Sequence, residues 1–227
     1  VLAVAAVVIV IGVGGPFVFI HFVEGKAPAP LSLKNNASAS ALGSAAGSSA
    51  PGLPVTGTWT VASGSEVGYR VKEVLAGQSQ TAVGRTRSVT GHLAISGTSV
   101  TAGTFTVQMS TIKSDQSRRD VQFDGRVMDV ASYPTGTFTL TKPISLSPLP
   151  ALGVITTYRA TGDLMLHGHT RTVTFPLTAQ RTSAAIRISG SIPVAFALWN
   201  IPNPSYPPFV TTQNHGELEF LLVFRKA

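Results

Sequence analysis

The sequence predicts an all-β fold, an antiparallel barrel or sandwich of about eight strands, on three observations. From Thr58 onward apolar residues recur at every second position in short runs, the alternation of a half-buried strand. Short polar turns rich in Gly, Ser and Thr, or Pro-containing breaks, separate those runs. No helical run is long enough to cover a parallel sheet.

The chain begins outside that domain. Residues 1–20 carry no charged side chain, and at about 1.5 Å per residue they would span about 30 Å, the hydrocarbon thickness of a bilayer. An N-terminal transmembrane anchor over residues 1–23 is therefore predicted, longer than the apolar core of a cleaved signal. Gly12, Gly14 and Gly15 lie inside this run with no strand before them, so they do not make a dinucleotide loop. Residues 24–56 then switch to Ala, Ser, Gly, Pro and Asn. Such a composition buries too little apolar surface to offset its ordering entropy, which predicts a flexible linker before a β domain at 57–227.

Within the domain, Thr58 to Ala62 alternates around Trp59 and Val61, and Glu66 to Lys72 places Val67, Tyr69 and Val71 on one face. Glu73 to Val83 is polar and predicts a loop with a bent strand. Val89, Gly91, Leu93 and Ile95 share a face, as do Phe105, Val107 and Met109 in the next strand. Ser114 to Tyr133 breaks the period. Ser117 followed by Asp120 suggests a capped short helix, with Val121, Phe123, Val127 and Met128 along one side. Phe138 and Leu140 resume the alternation.

The clearest signal is Tyr158 to Ala179, a β-hairpin. Ala160, Gly162, Leu164 and Leu166 lie on one arm, Val173, Phe175 and Leu177 on the other, and Gly168 turns between them. A hairpin alone is marginal in water, so its apolar face requires further strands. Ile186 to Leu198 and Leu218 to Phe224 supply the last two.

Composition excludes several functions. With no Cys there is no disulfide, thiolate metal site or cysteine nucleophile. The 17 Lys and Arg against 10 Asp and Glu give a net charge of +7, but the positive residues are scattered and form no stripe that would track a phosphate backbone; no nucleic acid is expected as partner. His167 and His169 flank a predicted turn without a third ligand nearby, so no metal or other cofactor is expected. No nucleophile elbow, paired glycosidase-like carboxylates or phosphate loop is present, and no enzyme is predicted.

Four motifs make the domain resemble the YceI-like family: VTGHLAI at Val89 to Ile95, the pair Arg119 and Asp120, YPTGTF at Tyr133 to Phe138, and GDLMLHGHTRTVTF at Gly162 to Phe175. The resemblance covers roughly Gly57 to Arg225. It implies a lipocalin-like antiparallel barrel with an elongated apolar interior that holds an isoprenoid or another long lipid, in a periplasmic or secreted setting.

By residue pattern alone, inward apolar side chains serve a filled core and a ligand cavity equally; the resemblance implies the cavity. The candidate pocket comprises Trp59, Tyr69, Phe105, Val107, Phe123, Met128, Phe138, Leu164, Leu166, Phe175, Phe196, Trp199 and Phe220. Phe123 and Met128 are expected to close one end, and the proline-stiffened Trp199 to Phe209 loop to flank the other. Arg119 and Asp120 form either a capping and surface ion-pair cluster or a head-group contact. The expected function is binding, storage or transport of an isoprenoid or quinone-like lipid by a membrane-anchored, extracytoplasmic barrel. The alternative is a ligand-free envelope stress-response or protein-interaction module.

Overall fold

The computed structural model describes residues 27–34, 54–75 and 77–227. The expected anchor over 1–23 lies outside these residues. Among the described residues, no helix is long and apolar enough to cross a membrane.

In chain order the strands are β1 (Gly57–Val61), β2 (Glu66–Leu75), β3 (Gln78–Thr86), β4 (Val89–Ser96), β5 (Ser99–Gln108) and β6 (Lys113–Ser114). After helix α1 (Ser117–Gln122) come β7 (Thr135–Leu140), β8 (Ile144–Ser145), β9 (Ile155–Leu166), β10 (His169–Arg181), β11 (Ile186–Ala195), β12 (Val210–Thr212) and β13 (His215–Lys226). They form one closed antiparallel barrel of eight staves.

Three staves are bent and consist of two strands each. β1 and β2 follow one another along the same edge of β13, and β4 and β3 pair with them in turn. β5 and β6 make the third bent stave, and β7, β9, β10, β11 and β13 complete the ring. β8 and β12 are short additions on β5 and β2.

Hydroxyl side chains hold the bends, where ladder bonds are interrupted. The Ser65 hydroxyl donates to the Ala62 carbonyl at 2.8 Å and accepts from the Val223 amide at 2.9 Å. The Thr86 hydroxyl accepts from the Ser88 amide at 2.9 Å and meets that of Thr111 at 2.7 Å. Bending the staves lets a wall of about eight strands enclose an elongated interior.

Four sequence expectations are corrected. Glu73 to Val83 is not a loop but the second half of β2 and most of β3; its outward face is polar, so apolar alternation is weak there. The strand expected to run to Leu198 ends at Ala195. Phe196–Trp199 then forms a tight helical turn, capped by Asn200 at φ 52°. α1 starts after Gln116 with no side-chain cap. Asp120 instead reaches back to accept from the amide and hydroxyl of Ser114 at 2.8 and 2.7 Å. Val121 faces solvent, because residues two apart on a helix point about 200° apart and Phe123 faces inward.

Part of the expected linker, residues 27–34, is also described. Residues 27–34 lie along the outer wall, held by a buried carboxylate. Glu219 is 3% exposed and accepts from Arg85 at 2.7 Å, from Arg70 at 3.4 Å and from the Leu31 amide at 3.1 Å. The same arginines donate to the carbonyls of Pro28 and Ala29, and Leu33 is buried beside Ser189. Two guanidinium groups and an amide compensate Glu219 for its lost water.

Candidate functional site

The interior is hollow. A cavity of about 320 Å³ runs between the barrel ends, and its wall takes in residues from every stave. At one end lie α1, the β9–β10 turn and the segment 196–214; at the other lie the β4–β5 turn, the segment 141–154 and the β10–β11 turn. The first is termed the helix end.

What keeps the centre open is a pairing of rings with glycines. Tyr69 lies across Gly84, Phe105 across Gly91, Phe138 across Gly162 and Phe220 across Gly190. A Cβ at these glycines would meet the neighbouring ring at 2.3, 2.7, 2.4 and 2.8 Å respectively. Each ring can lie down along the wall only because the glycine beneath it, directly opposite for Tyr69, Phe105 and Phe220 and diagonal for Phe138, has no side chain. Phe105, Phe138, Phe175 and Phe220 then touch in sequence, with centroids 6.5, 5.4 and 5.9 Å apart.

The helix end is closed by Phe123, Val127, Met128, Ile201 and Pro204. Phe123 enters through the π-helical turn Phe123–Val127 that follows α1, and it stacks on Tyr69 at 5.1 Å. Arg126 donates to the carbonyls of Asn203 and Pro204, so the helical insertion and the proline-rich loop cover the same end. This corrects the expectation that they flank opposite ends: β11 delivers residue 196 to the end that α1 already occupies.

Tyr69, Phe105, Val107, Phe123, Met128, Phe138, Leu164, Leu166, Phe175, Phe196 and Phe220 all contribute to the cavity wall. Trp59 and Trp199 do not. Each is 1% exposed and is packed into the protein beside the wall, with its indole N–H donating to the carbonyls of Val55 and Leu164 respectively. An indole needs a buried acceptor, and the backbone supplies one where the apolar cavity would not.

Arg119 reaches the cavity wall, but its charge is already engaged. It pairs with Glu73 at 3.0 Å and with Asp115. Burial opposes its charge, yet the two carboxylates together hold the guanidinium above its ordinary pKa. Asp120 is not on the wall and serves Ser114. Beside them the Tyr69 phenol is pushed well above its ordinary pKa, mainly by burial. His167 sits at φ 48° in the hairpin turn with Gly168 at φ 73°, packed on Tyr133, and its Nδ1 lies 3.3 Å from the Trp199 carbonyl. That turn needs two positive-φ positions, which explains the conformation without any ligand.

The family model for the YceI-like domain matches residues 59–224. The chain belongs to the YceI-like family. Among solved structures, this YceI-like barrel is similar to a polyisoprenoid binding domain from Saccharophagus degradans implicated in plant cell wall breakdown. The two are 14% identical with a TM-score of 0.62, over 76% of this chain and 99% of that one. It is also similar to BcnA of Burkholderia cenocepacia, at 21% identity and a TM-score of 0.53, over 68% of this chain and 95% of the other. At these identities the likeness is one of fold. A comparison with curated proteins finds no match.

In the sequence Gly91 and Gly162 fall on the inward apolar series, but the ring that each glycine bears was missed. The signal was present: Gly84, Gly91, Gly162 and Gly190 each occupy the inward parity of a strand whose neighbour carries an aromatic.

Proposed function

We propose that this YceI-like chain binds a long-chain apolar lipid, isoprenoid- or quinone-like, within its barrel and stores or passes it at the cell envelope. The observation that carries the reading is the hollow apolar interior, open along the barrel because its rings lie flat on glycines. Its volume falls at the low end of the range of about 300 to 1,000 Å³ for small-molecule sites. Each methylene moved from water into such a wall gains about 0.8 kcal/mol, so a long tail binds without any specific polar contact. The Saccharophagus neighbour is described as polyisoprenoid binding, which accords with the same use of the fold. The role proposed is binding rather than catalysis. An anchor at residues 1–23 would hold the β domain beside the membrane from which a lipid is drawn, on its extracytoplasmic side.

Mass spectrometry of an organic extract of the purified chain tests this. A stoichiometric long-chain lipid is expected. Absence of any lipid, together with failure to take up a neutral polyene probe such as diphenylhexatriene, would leave only a ligand-free scaffold.

A further inference from the structure

Arg181 differs from the other cations of the barrel. On β10 the residues Phe175, Leu177 and Ala179 point inward, and Arg181 is the next position of that series. It contributes to the cavity wall at the end away from the helix, beside Leu149, Pro150 and Ile186. One of its terminal nitrogens donates to the Pro150 carbonyl at 3.2 Å, while its Nε is shielded from solvent and has no acceptor. Among the described residues, no carboxylate pairs with it.

The surroundings reinforce this. Lys142, Arg187, Arg225 and Lys226 lie toward the same end, and residues 141–155, 181–187 and 222–227 contain no Asp or Glu. At the helix end, by contrast, Glu73, Asp115, Asp120, Asp124 and Asp129 accompany the cations. A buried guanidinium N–H without an acceptor is costly, and a guanidinium at the mouth of an apolar cavity matches a planar or tetrahedral oxyanion.

We propose that Arg181 is the head-group anchor of the cavity, selecting a long-chain lipid that ends in a carboxylate or phosphate and directing its tail toward the helix end. This rests on the lipid-binding reading above and specifies the ligand class. It also moves the head group away from Arg119, whose charge two carboxylates already neutralise.

The experiment uses the full chain, delipidated, with geranylgeraniol, geranylgeranoic acid and geranylgeranyl monophosphate competing against bound diphenylhexatriene. Wild type is expected to prefer the acid, the phosphate or both over the alcohol by about tenfold or more, as a charge-assisted hydrogen bond implies. The two anionic arms show which oxyanion is preferred. In Arg181→Gln that ratio falls close to one, whereas Arg187→Gln, at the same rim but off the wall, keeps most of it. Equal affinity for all three in wild type overturns the assignment and leaves tail binding standing, and an undiminished ratio in Arg181→Gln overturns it as well. Should Arg181→Gln fail to fold, Arg181→Lys decides: the ratio drops several-fold if the guanidinium fork matters, and an unchanged ratio overturns the proposal. Failure of wild type to take up diphenylhexatriene removes the lipid-binding reading itself, and this inference with it.

Discussion

Arg119 and Arg181 stand at opposite ends of one cavity, and their surroundings differ in a way that separates structure from function. Arg119 joins β2 to the helical insertion through Glu73 and Asp115, so its charge helps hold the cover on the barrel. Arg181 has a carbonyl and no carboxylate, and its Nε is left over. Both are arginines on the wall of the same apolar space. What distinguishes them is whether the protein itself neutralises the charge; where it does not, a ligand has something to add.

The largest effects test how the two ends are plugged. Trp199 and Trp59 are equally buried, one at the helix end and one on β1, and removing either to alanine should cost about 3 to 5 kcal/mol in denaturant unfolding. Their consequences for exchange should differ. Trp199→Ala also loses the bond to Leu164 that seats the covering loop, so release of diphenylhexatriene accelerates. Trp59→Ala destabilises without that acceleration, and equal release rates would show that the covered end is not the exit.

Next come the glycines under the rings. Gly84→Ala drives a methyl against Tyr69 at 2.3 Å, near the helix end, and Gly91→Ala meets the Thr104 carbonyl at 2.2 Å in the other half. The first clash is mainly with a ring that can swing into the cavity; the second adds to a ring contact with Phe105 at 2.7 Å a backbone carbonyl that has no such freedom. Both should cost about 1 to 3 kcal/mol, with Gly91→Ala the greater, as thermal unfolding will show. Gly84→Ala is expected to lower probe capacity in proportion to the ring's movement.

Much of this was legible in the sequence, and the exceptions have physical causes. The β9–β10 hairpin reads clearly because its apolar positions alternate with wet ones, and β13 because Leu218, Phe220, Leu222 and Phe224 hold the inward series without a break. β3 did not, because its outward face is covered by residues 27–34 through polar contacts rather than apolar ones. The seating of those residues depends on Glu219, which alternation marks as outward and therefore as solvent-facing. Aromatic positions on the wall were predictable from parity. Trp59 carries the inward strand signature and Trp199 opens the proline-stiffened loop, yet both turn aside to backbone acceptors, a choice set by tertiary geometry. Hollow could not be told from filled until the glycines were seen beneath the rings.

Smaller still is the cost of losing each arginine. Arg119→Gln leaves Glu73, which is 11% exposed, without its partner, and about 1 to 2 kcal/mol of unfolding free energy should go. Arg181→Gln breaks no ion pair and should change stability by about 0.5 kcal/mol or less. A reversed order would mean that Arg181 is the structural member of the two.

A last predicted effect lies in the pH dependence of two tyrosines on the cavity wall. Burial raises the phenol pKa of both, strongly at Tyr69 near the helix end and less at Tyr158 in the other half. A phenol raised in the folded state binds its proton more tightly there than in the unfolded chain. Its contribution is therefore complete below the unfolded value of about 10 and fades as pH climbs above it toward the folded value. Half a pH unit above 10 the loss from Tyr69 should be just under about 1 kcal/mol. Tyr69→Phe should remove that part of the alkaline fall in melting temperature, and Tyr158→Phe should remove less. If the two substitutions flatten the alkaline limb equally, the helix end is no drier than its opposite, and the closure assigned to Phe123 and Met128 does not hold in solution.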